Sequence, residues 1–238
     1  MSEYKIRVKN KHLIIVVALV LCSMGLVRAA GDTYLFKTAE AARQSNDPVK
    51  ALAYYDRFIS EYPNSESVPA ALYWSASILP DSHSFRAVIF PSSRSTTHTD
   101  SVLAEMPEGA LSRQERLRRV FTDYPDHWAA PHALSQFAEG LYHSGDPKAE
   151  EFLLKAVRDP RGGDQVNAAF LLVDMYIAQG RLGDALNMLE YCAREAPTSY
   201  AEQRQMKKGD ILAAIGEYEA SEAAYEETLS VFEGTVSR

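Results

Sequence analysis

The chain has few of the residues that support metal, disulfide or nucleophilic chemistry. It carries two cysteines in 238 residues, and its six histidines include no pair spaced to place two metal ligands on one helix face. It contains neither a Gly-x-Ser-x-Gly nucleophile elbow nor a glycine-rich phosphate-binding loop. We therefore expect a protein that is not an enzyme and has no catalytic residues, no cofactor and no metal.

Long apolar runs are also scarce, and the single one lies near the N-terminus, from Leu13 to Val27. Its 15 residues fall short of the roughly 20 that cross a bilayer as a helix. Four basic residues precede it, and Val27-Arg28-Ala29 ends it with a signal-peptidase pattern. Residues 1–29 are therefore predicted to be a secretory signal peptide, with an uncleaved N-terminal membrane anchor as the alternative.

Acidic residues outnumber basic ones, giving a net charge of -7, and removal of residues 1–29 makes it about -11. Such a protein is a poor candidate for binding nucleic acid or an anionic membrane surface. The same cleavage removes Cys22, so Cys192 stands alone and an intrachain disulfide is excluded. We expect Cys192 to be a buried core thiol.

A periodic pattern of small and apolar residues fills the 34-residue window that begins at Val166. It predicts two antiparallel amphipathic helices, with Gly180 ending the first, Asp184 capping the second and Pro197 stopping it. A hairpin of this kind cannot bury both apolar stripes alone, so it needs stacked neighbours. The stripe residues are Ala169, Leu172, Val173, Tyr176, Ala185, Leu189, Cys192 and Ala193.

The same window recurs along the chain, beginning near Asp32, Pro69, Pro131 and Glu202. In the first repeat, Asn46 replaces the turn glycine and Asp47-Pro48 begins the second helix. Matching segments around 57–63 and 119–125 lie 62 residues apart, so the second repeat has absorbed 28 extra residues. Its helices are predicted at about 69–79 and 112–122, separated by a Ser-, Thr- and Pro-rich insertion at about 80–110.

This window is that of the tetratricopeptide repeat (TPR) family, which the chain resembles. The resemblance implies an all-α fold: a TPR helix-hairpin solenoid of about five repeats in a right-handed superhelix over residues 30–238. The stretch from Ala51 to Ser65, followed by Pro69 and Tyr73-Trp74, resembles bacterial envelope TPR proteins. Those are the periplasmic Tol-Pal-associated coordinator and the TPR lipoprotein of β-barrel assembly. The resemblance implies a periplasmic or secreted adaptor; with an uncleaved anchor it would face the periplasm from the inner membrane.

In that family the first helix of each pair lines a concave groove, and the matching positions here are mainly acidic and aromatic. The acidic positions would form a stripe that attracts a basic, extended partner; the alternative is a solvated helix face. The aromatic positions would anchor the partner; the alternative is packing between helices. The predicted groove residues are Phe36, Glu40, Tyr73, Glu139, Tyr142, His143, Asn167, Phe170, Asp174 and Asp210.

A second charged feature is the run of arginines at 113, 116, 118 and 119. It predicts a basic, solvated helix face. The alternative is self-association, in which this face contacts the acidic last helix of another copy. Our main hypothesis is a non-enzymatic scaffold or adaptor that binds other envelope proteins. One alternative is an oligomeric structural subunit docked on a membrane complex, and another is a glycan or small-ligand regulator of an envelope enzyme.

Overall fold

A computed structural model of the chain describes residues 31–79, 111–195 and 200–236, and the side chains of these up to residue 228. Three sequence predictions lie outside the described residues and stay predictions. These are the signal peptide at 1–29, the insertion at 80–110 and the helix stop at Pro197. The predicted extent of the TPR domain, residues 30–238, also stays a prediction.

Within the described residues the chain is entirely helical, with ten helices and no strand, which confirms the all-α TPR prediction. The helices predicted for the second repeat, at about 69–79 and 112–122, begin and end within one residue of the observed helices. No helix in the described ranges has the length and apolarity that a membrane span requires. The helices are α1 (31–44), α2 (Pro48–Glu61), α3 (Val68–Ile78), α4 (Arg113–Asp123), α5 (Ala129–Ser144), α6 (Ala149–Arg158), α7 (Gln165–Ala178), α8 (Leu182–Glu195), α9 (Ala201–Ile215) and α10 (Tyr218–Val236).

Left-handed residues end the first helix of four hairpins, as the turn positions predicted. A glycine reaches positive φ without a Cβ clash, and asparagine tolerates it better than most residues. The Oδ1 of Asp47 then accepts a hydrogen bond from the Lys50 amide at 3.1 Å, and Pro48 occupies the first turn of α2. The turn residues are Asn46 (φ 59°), Gly145 (φ 68°), Gly180 (φ 71°) and Gly216 (φ 93°).

The chain divides into two compact units, and the boundary falls at residues 116 and 117. The first unit contains α1, α2, α3 and the start of α4 among the described residues. Its core includes Tyr55 and Phe58, which are fully buried. The ring of Phe36 packs between them, with centroid distances of 6.1 and 5.4 Å.

A buried arginine ties the start of α4 to the two preceding helices in the first unit. Arg116 has no exposed surface, and its guanidinium donates to both carboxylate oxygens of Asp56 at 2.5 and 3.0 Å. It also donates to the Ser75 hydroxyl at 2.9 Å and the Leu111 carbonyl at 2.8 Å. The predicted solvated arginine face is therefore wrong at Arg116, although Arg118 is exposed. A guanidinium can be buried here because each of its three nitrogens donates to an acceptor.

The second unit has one continuous apolar core that runs from α5 to α9. Cys192 is fully buried in this core, as expected, and burial raises the pKa of its thiol to about 11. The predicted acidic outer face of the last helix is exposed. The core residues are Leu134, Ala138, Leu153, Ala156, Val157, Ala168, Ala169, Phe170, Leu172, Val173, Tyr176, Ala185, Leu189, Cys192 and Ile211.

The buried Arg116 gives a direct stability prediction. Replacing Asp56 with Ala leaves a buried guanidinium without its counter-charge, so the free energy of unfolding should fall by about 3 kcal/mol in urea titrations. The matched control is Arg119→Met, because Arg119 forms a part-exposed pair with Asp123 at 3.4 Å. That change should cost less than about 0.5 kcal/mol. Equal losses from the two variants would contradict the assigned role of Arg116.

Candidate functional site

Three of the predicted groove residues belong to the first unit, where their side chains are packed or hydrogen-bonded against other residues of the same unit. Phe36 packs on the aromatic core described above, and Tyr73 is only 8% exposed. The Glu40 carboxylate accepts from Arg43 at 2.8 Å and from the Tyr55 hydroxyl. Burial alone would raise the pKa of Glu40, but these hydrogen bonds outweigh it and the pKa is lowered. In this unit the three predicted side chains therefore interact with other residues of the unit.

The other seven lie in the second unit, on the first helices of three successive repeats, and some of them come together. The Asp174 carboxylate of α7 forms an ion pair with Lys207 of α9. Burial raises the pKa of Tyr142 on α5, and the charge of Asp174 raises it further. The helices α5, α7 and α9 thus contribute neighbouring side chains to one surface.

Lys207 was missed by the sequence reasoning, and it changes the charge of this surface. Its side chain is only 17% exposed, and its ammonium lies against the Asp174 carboxylate. A lysine three positions before Asp210, the next recurring acidic position, was the signal that could have found it. The predicted acidic stripe is therefore compensated in its middle by a cation from the adjacent repeat.

The other two predicted carboxylates of the second unit have no lysine or arginine partner among the described residues. Glu139 has 36% of its side chain exposed, and its nearest basic partner is His143, with Nε2 at 3.7 Å. Asp210 is exposed and accepts a hydrogen bond from the Tyr225 hydroxyl at 2.7 Å. That bond and burial raise the pKa of Tyr225, with the Asp210 bond the larger cause. A basic partner would meet these two carboxylates without first displacing a lysine or arginine.

The exposed apolar side chains of this region are also not the predicted ones. Phe170 is buried, with 3% exposure, and its ring lies 5.7 Å from that of Tyr200. Tyr200 is 51% exposed, and Met206, in the first helix of the last repeat, is 49% exposed. Tyr200 adopts φ 61°, which is costly for a bulky residue. This backbone holds an aromatic ring half in solvent above Phe170.

A shallow cavity of about 330 Å³ opens beside Tyr142, between the α5–α6 turn and α7. Next to it, the Arg181 guanidinium stacks at 4.2 Å on Tyr176 and pairs with Glu150 at 2.7 Å and Asp184 at 2.8 Å. The prediction that Asp184 caps α8 is wrong, because it lies inside the first turn and binds Arg181. The cavity is lined by Tyr142, Gly145, Asp146, Pro147, Ala149, Glu150, Met175, Ala178 and Gln179.

The last predicted residue, Asn167, is part-buried on α7. The described residues include no group of three or more His, Cys, Asp or Glu side chains able to hold a metal ion. The side chains on this surface are aromatic rings, a thioether and charged groups.

Stacked helix hairpins, with side chains from successive first helices on one surface, define the class of helical-repeat proteins. Residues 97–238 match the tetratricopeptide repeat-like domain family, and residues 33–65 match the tetratricopeptide repeat. The chain therefore belongs to the tetratricopeptide repeat-like domain family. Proteins of this family generally bind other proteins and are generally non-catalytic.

Solved structures share this fold at low sequence identity. The MamA RS-1 ArsTM double mutant has a TM-score of 0.60 and 12% identity, over 87% of this chain and 97% of that one. A Podosopora anserina protein described as a kinesin light chain, with nearly identical TPR-like repeats, has a TM-score of 0.52 and 14% identity. The match covers 85% of this chain and 95% of that one. No curated protein matches the sequence.

The proximity of Tyr142 and Asp174 is testable by titration. Replacing Asp174 with Asn removes a negative charge that opposes the phenolate, so the pKa of Tyr142 should fall while its burial persists. The pKa is read by NMR with ring-labelled tyrosine, since the chain has 13 tyrosines. Asp184→Asn, on a second helix, is the control and should leave Tyr142 unchanged. An unchanged Tyr142 pKa in Asp174→Asn would show that α5 and α7 do not share this surface.

Proposed function

We propose that the protein is a non-enzymatic adaptor of the cell envelope that binds an extended segment of another protein. The binding surface is formed by α5, α7 and α9, and we call it the first-helix surface. The observation that carries the proposal is the ion pair between Asp174 of α7 and Lys207 of α9, above an apolar core that includes residues of α5, α7 and α9. The ion pair joins the first helices of two successive repeats, and the shared core adds α5, so the three helices form one surface.

The dimensions of this surface suit a short extended segment. Packed helices lie about 8–10 Å apart, so a line across α5, α7 and α9 is roughly 20 Å long. An extended chain advances about 3.3 Å per residue, so roughly six residues would cross it. The cavity beside Tyr142 would receive one side chain at the α5 end. At the α9 end, Tyr200 and Met206 offer half-exposed apolar area.

The charges of the surface favour a partner with basic residues on either side of an apolar one. Glu139, which is part-exposed, and Asp210, which is exposed, are the predicted carboxylates of this surface that have no lysine or arginine partner among the described residues, and they lie on the outer helices α5 and α9. Between them, Asp174 and Lys207 neutralise each other. Charges at the rim of a binding surface mainly steer the approach and set specificity, whereas the apolar contacts supply affinity.

The proposed location, in the periplasm or outside the cell, rests on sequence features and not on the fold. The basic and apolar N-terminal pattern supports export, and the Ala51-to-Ser65 stretch supports an envelope protein through its resemblance. The acidic balance of the chain agrees with a protein partner and argues against nucleic acid. We place the protein in the periplasm or outside the cell, with other envelope proteins as its partners.

The charge preference can be tested with peptides selected from a random display library against the full chain. The double variant Glu139→Lys, Asp210→Lys should bind the selected peptides about tenfold more weakly, because two attractive contacts become repulsive. Fluorescence anisotropy measures the affinity, and circular dichroism checks that helix content is retained. Glu226→Lys, an exposed change on α10, is the control and should bind normally. The proposal would be contradicted if the selected peptides were acidic. It would also be contradicted if the double variant bound them as tightly as the Glu226→Lys control.

A further inference from the structure

The cavity of about 330 Å³ beside Tyr142 lies where three helix ends meet. Its lining includes residues from the last turns of α5 and α7 and from the first turn of α6. The C-terminal end of a helix carries a partial negative charge, so the ends of α5 and α7 both favour a cation. The start of α6 favours an anion, but that turn already holds Glu150 and Glu151. The backbone around the cavity therefore favours a positively charged occupant.

The side chains around the cavity also carry more negative than positive charge. Arg181 pairs with Glu150 at 2.7 Å and with Asp184 at 2.8 Å, so two carboxylates already share one guanidinium. Asp146 accepts a hydrogen bond from the backbone amide of Lys148 at 2.8 Å, and it has no lysine or arginine side-chain partner among the described residues. The carboxylates therefore outnumber the guanidinium three to one.

The lysines of α6 and of the turn before it do not balance this charge. Among the described residues, those that line the cavity include no lysine or arginine. Lys155 donates a hydrogen bond to Glu151 at 2.7 Å, and this bond lowers the pKa of Glu151. The charge of Lys148 lowers the same pKa further, so Lys148 acts on the exposed Glu151. A cation in the cavity would have to come from another molecule.

Two arginines of the chain show how it holds a guanidinium. Arg181 lies over the Tyr176 ring, 4.2 Å from its centroid, while it binds two carboxylates. In the first unit, Arg43 lies 4.3 Å from the ring centroid of Trp74 and binds Glu40 at 2.8 Å. Each guanidinium thus combines an aromatic ring with a carboxylate. The cavity offers the same two groups.

The walls of the cavity suit an arginine side chain better than a lysine. Tyr142 and Met175 are part-buried and supply apolar surface, while Asp146, Glu150 and Gln179 supply acceptor oxygens from three segments of the chain. A guanidinium stacks on a ring and donates five N–H groups in one plane, whereas an ammonium is a compact point charge. The volume lies at the low end of the range for ligand pockets, which suits one long side chain.

We propose that this cavity binds an arginine side chain of the partner segment. Its guanidinium meets the Asp146 carboxylate and the Tyr142 ring, and its methylene groups lie along Met175. The inference rests on the proposed function, because the cavity lies at the α5 end of the first-helix surface. It adds the identity of one partner residue, an arginine at one end of the extended segment.

The test uses the full chain and the fluorescein-labelled peptide Gly-Arg-Ala-Leu-Leu-Ala-Arg with an amidated C-terminus. An arginine at each end allows either orientation of the peptide on the surface. Fluorescence anisotropy should show saturable binding. Lysine in place of both arginines keeps the charge and should weaken binding about fivefold, because the stacking and the planar donors are lost. Citrulline keeps the shape without the charge and should weaken binding at least about tenfold.

The variant Asp146→Asn removes the charge but keeps an oxygen that can accept from the Lys148 amide. It should weaken the arginine peptide about fivefold and narrow its advantage over the lysine peptide. The matched control is Glu151→Gln, which removes the same charge from an exposed side chain that does not line the cavity, and it should bind normally. In protein labelled with ¹³C-methyl methionine, the Met175 signal should shift on binding.

Equal affinity for the arginine and lysine peptides would overturn the arginine site, as would unchanged affinity in Asp146→Asn or an unmoved Met175 signal at saturation. If Glu139→Lys, Asp210→Lys still loses binding in those cases, the first-helix surface stands and only the arginine site falls. Absence of binding by the arginine peptide at millimolar concentration would also overturn the site. The library selection described above tests the proposed function independently of this peptide.

Discussion

The close approach of helices at fully buried alanines is the constraint on which the rest of the structure depends. In each unit the recurring small positions have no exposed surface, and a larger side chain there would force the helices apart. Because neighbouring helices lie this close, side chains from successive repeats can touch, as Asp174 and Lys207 do. These alanines are Ala39, Ala51 and Ala71 in the first unit and Ala138, Ala169 and Ala185 in the second.

Most of the fold was predictable because its determinants are local. The spacing of small and apolar residues gave the helices, and Asn46 and Gly180 marked turns that adopt positive φ. Arg116 was not predictable in the same way. It lies among three other arginines, as a surface residue would, and its partner Asp56 is 60 residues earlier in the chain. The sequence between them includes the long insertion, so no local pattern links the two.

The candidate site was predictable only in its location. A recurring position on the first helix puts Asp174 on the helix face that lies beside a neighbouring repeat, because the helical period fixes the face. It does not show which charges are compensated, since Lys207 comes from the next repeat. Nor does it show that Phe170 is buried while Tyr200 is exposed, because that depends on a left-handed backbone at a tyrosine.

The central claim is that the first-helix surface, and not the outer face of the last helix, contacts a protein partner. The most direct measurement places a photo-crosslinking amino acid at Met206, or at Glu226 as the comparison, in the full chain expressed in its own cells. The account predicts one discrete crosslinked protein from position 206, lost when Glu139 and Asp210 are both changed to Lys, and none from position 226. Crosslinking at position 226 alone, or equal crosslinking from both positions, would contradict it.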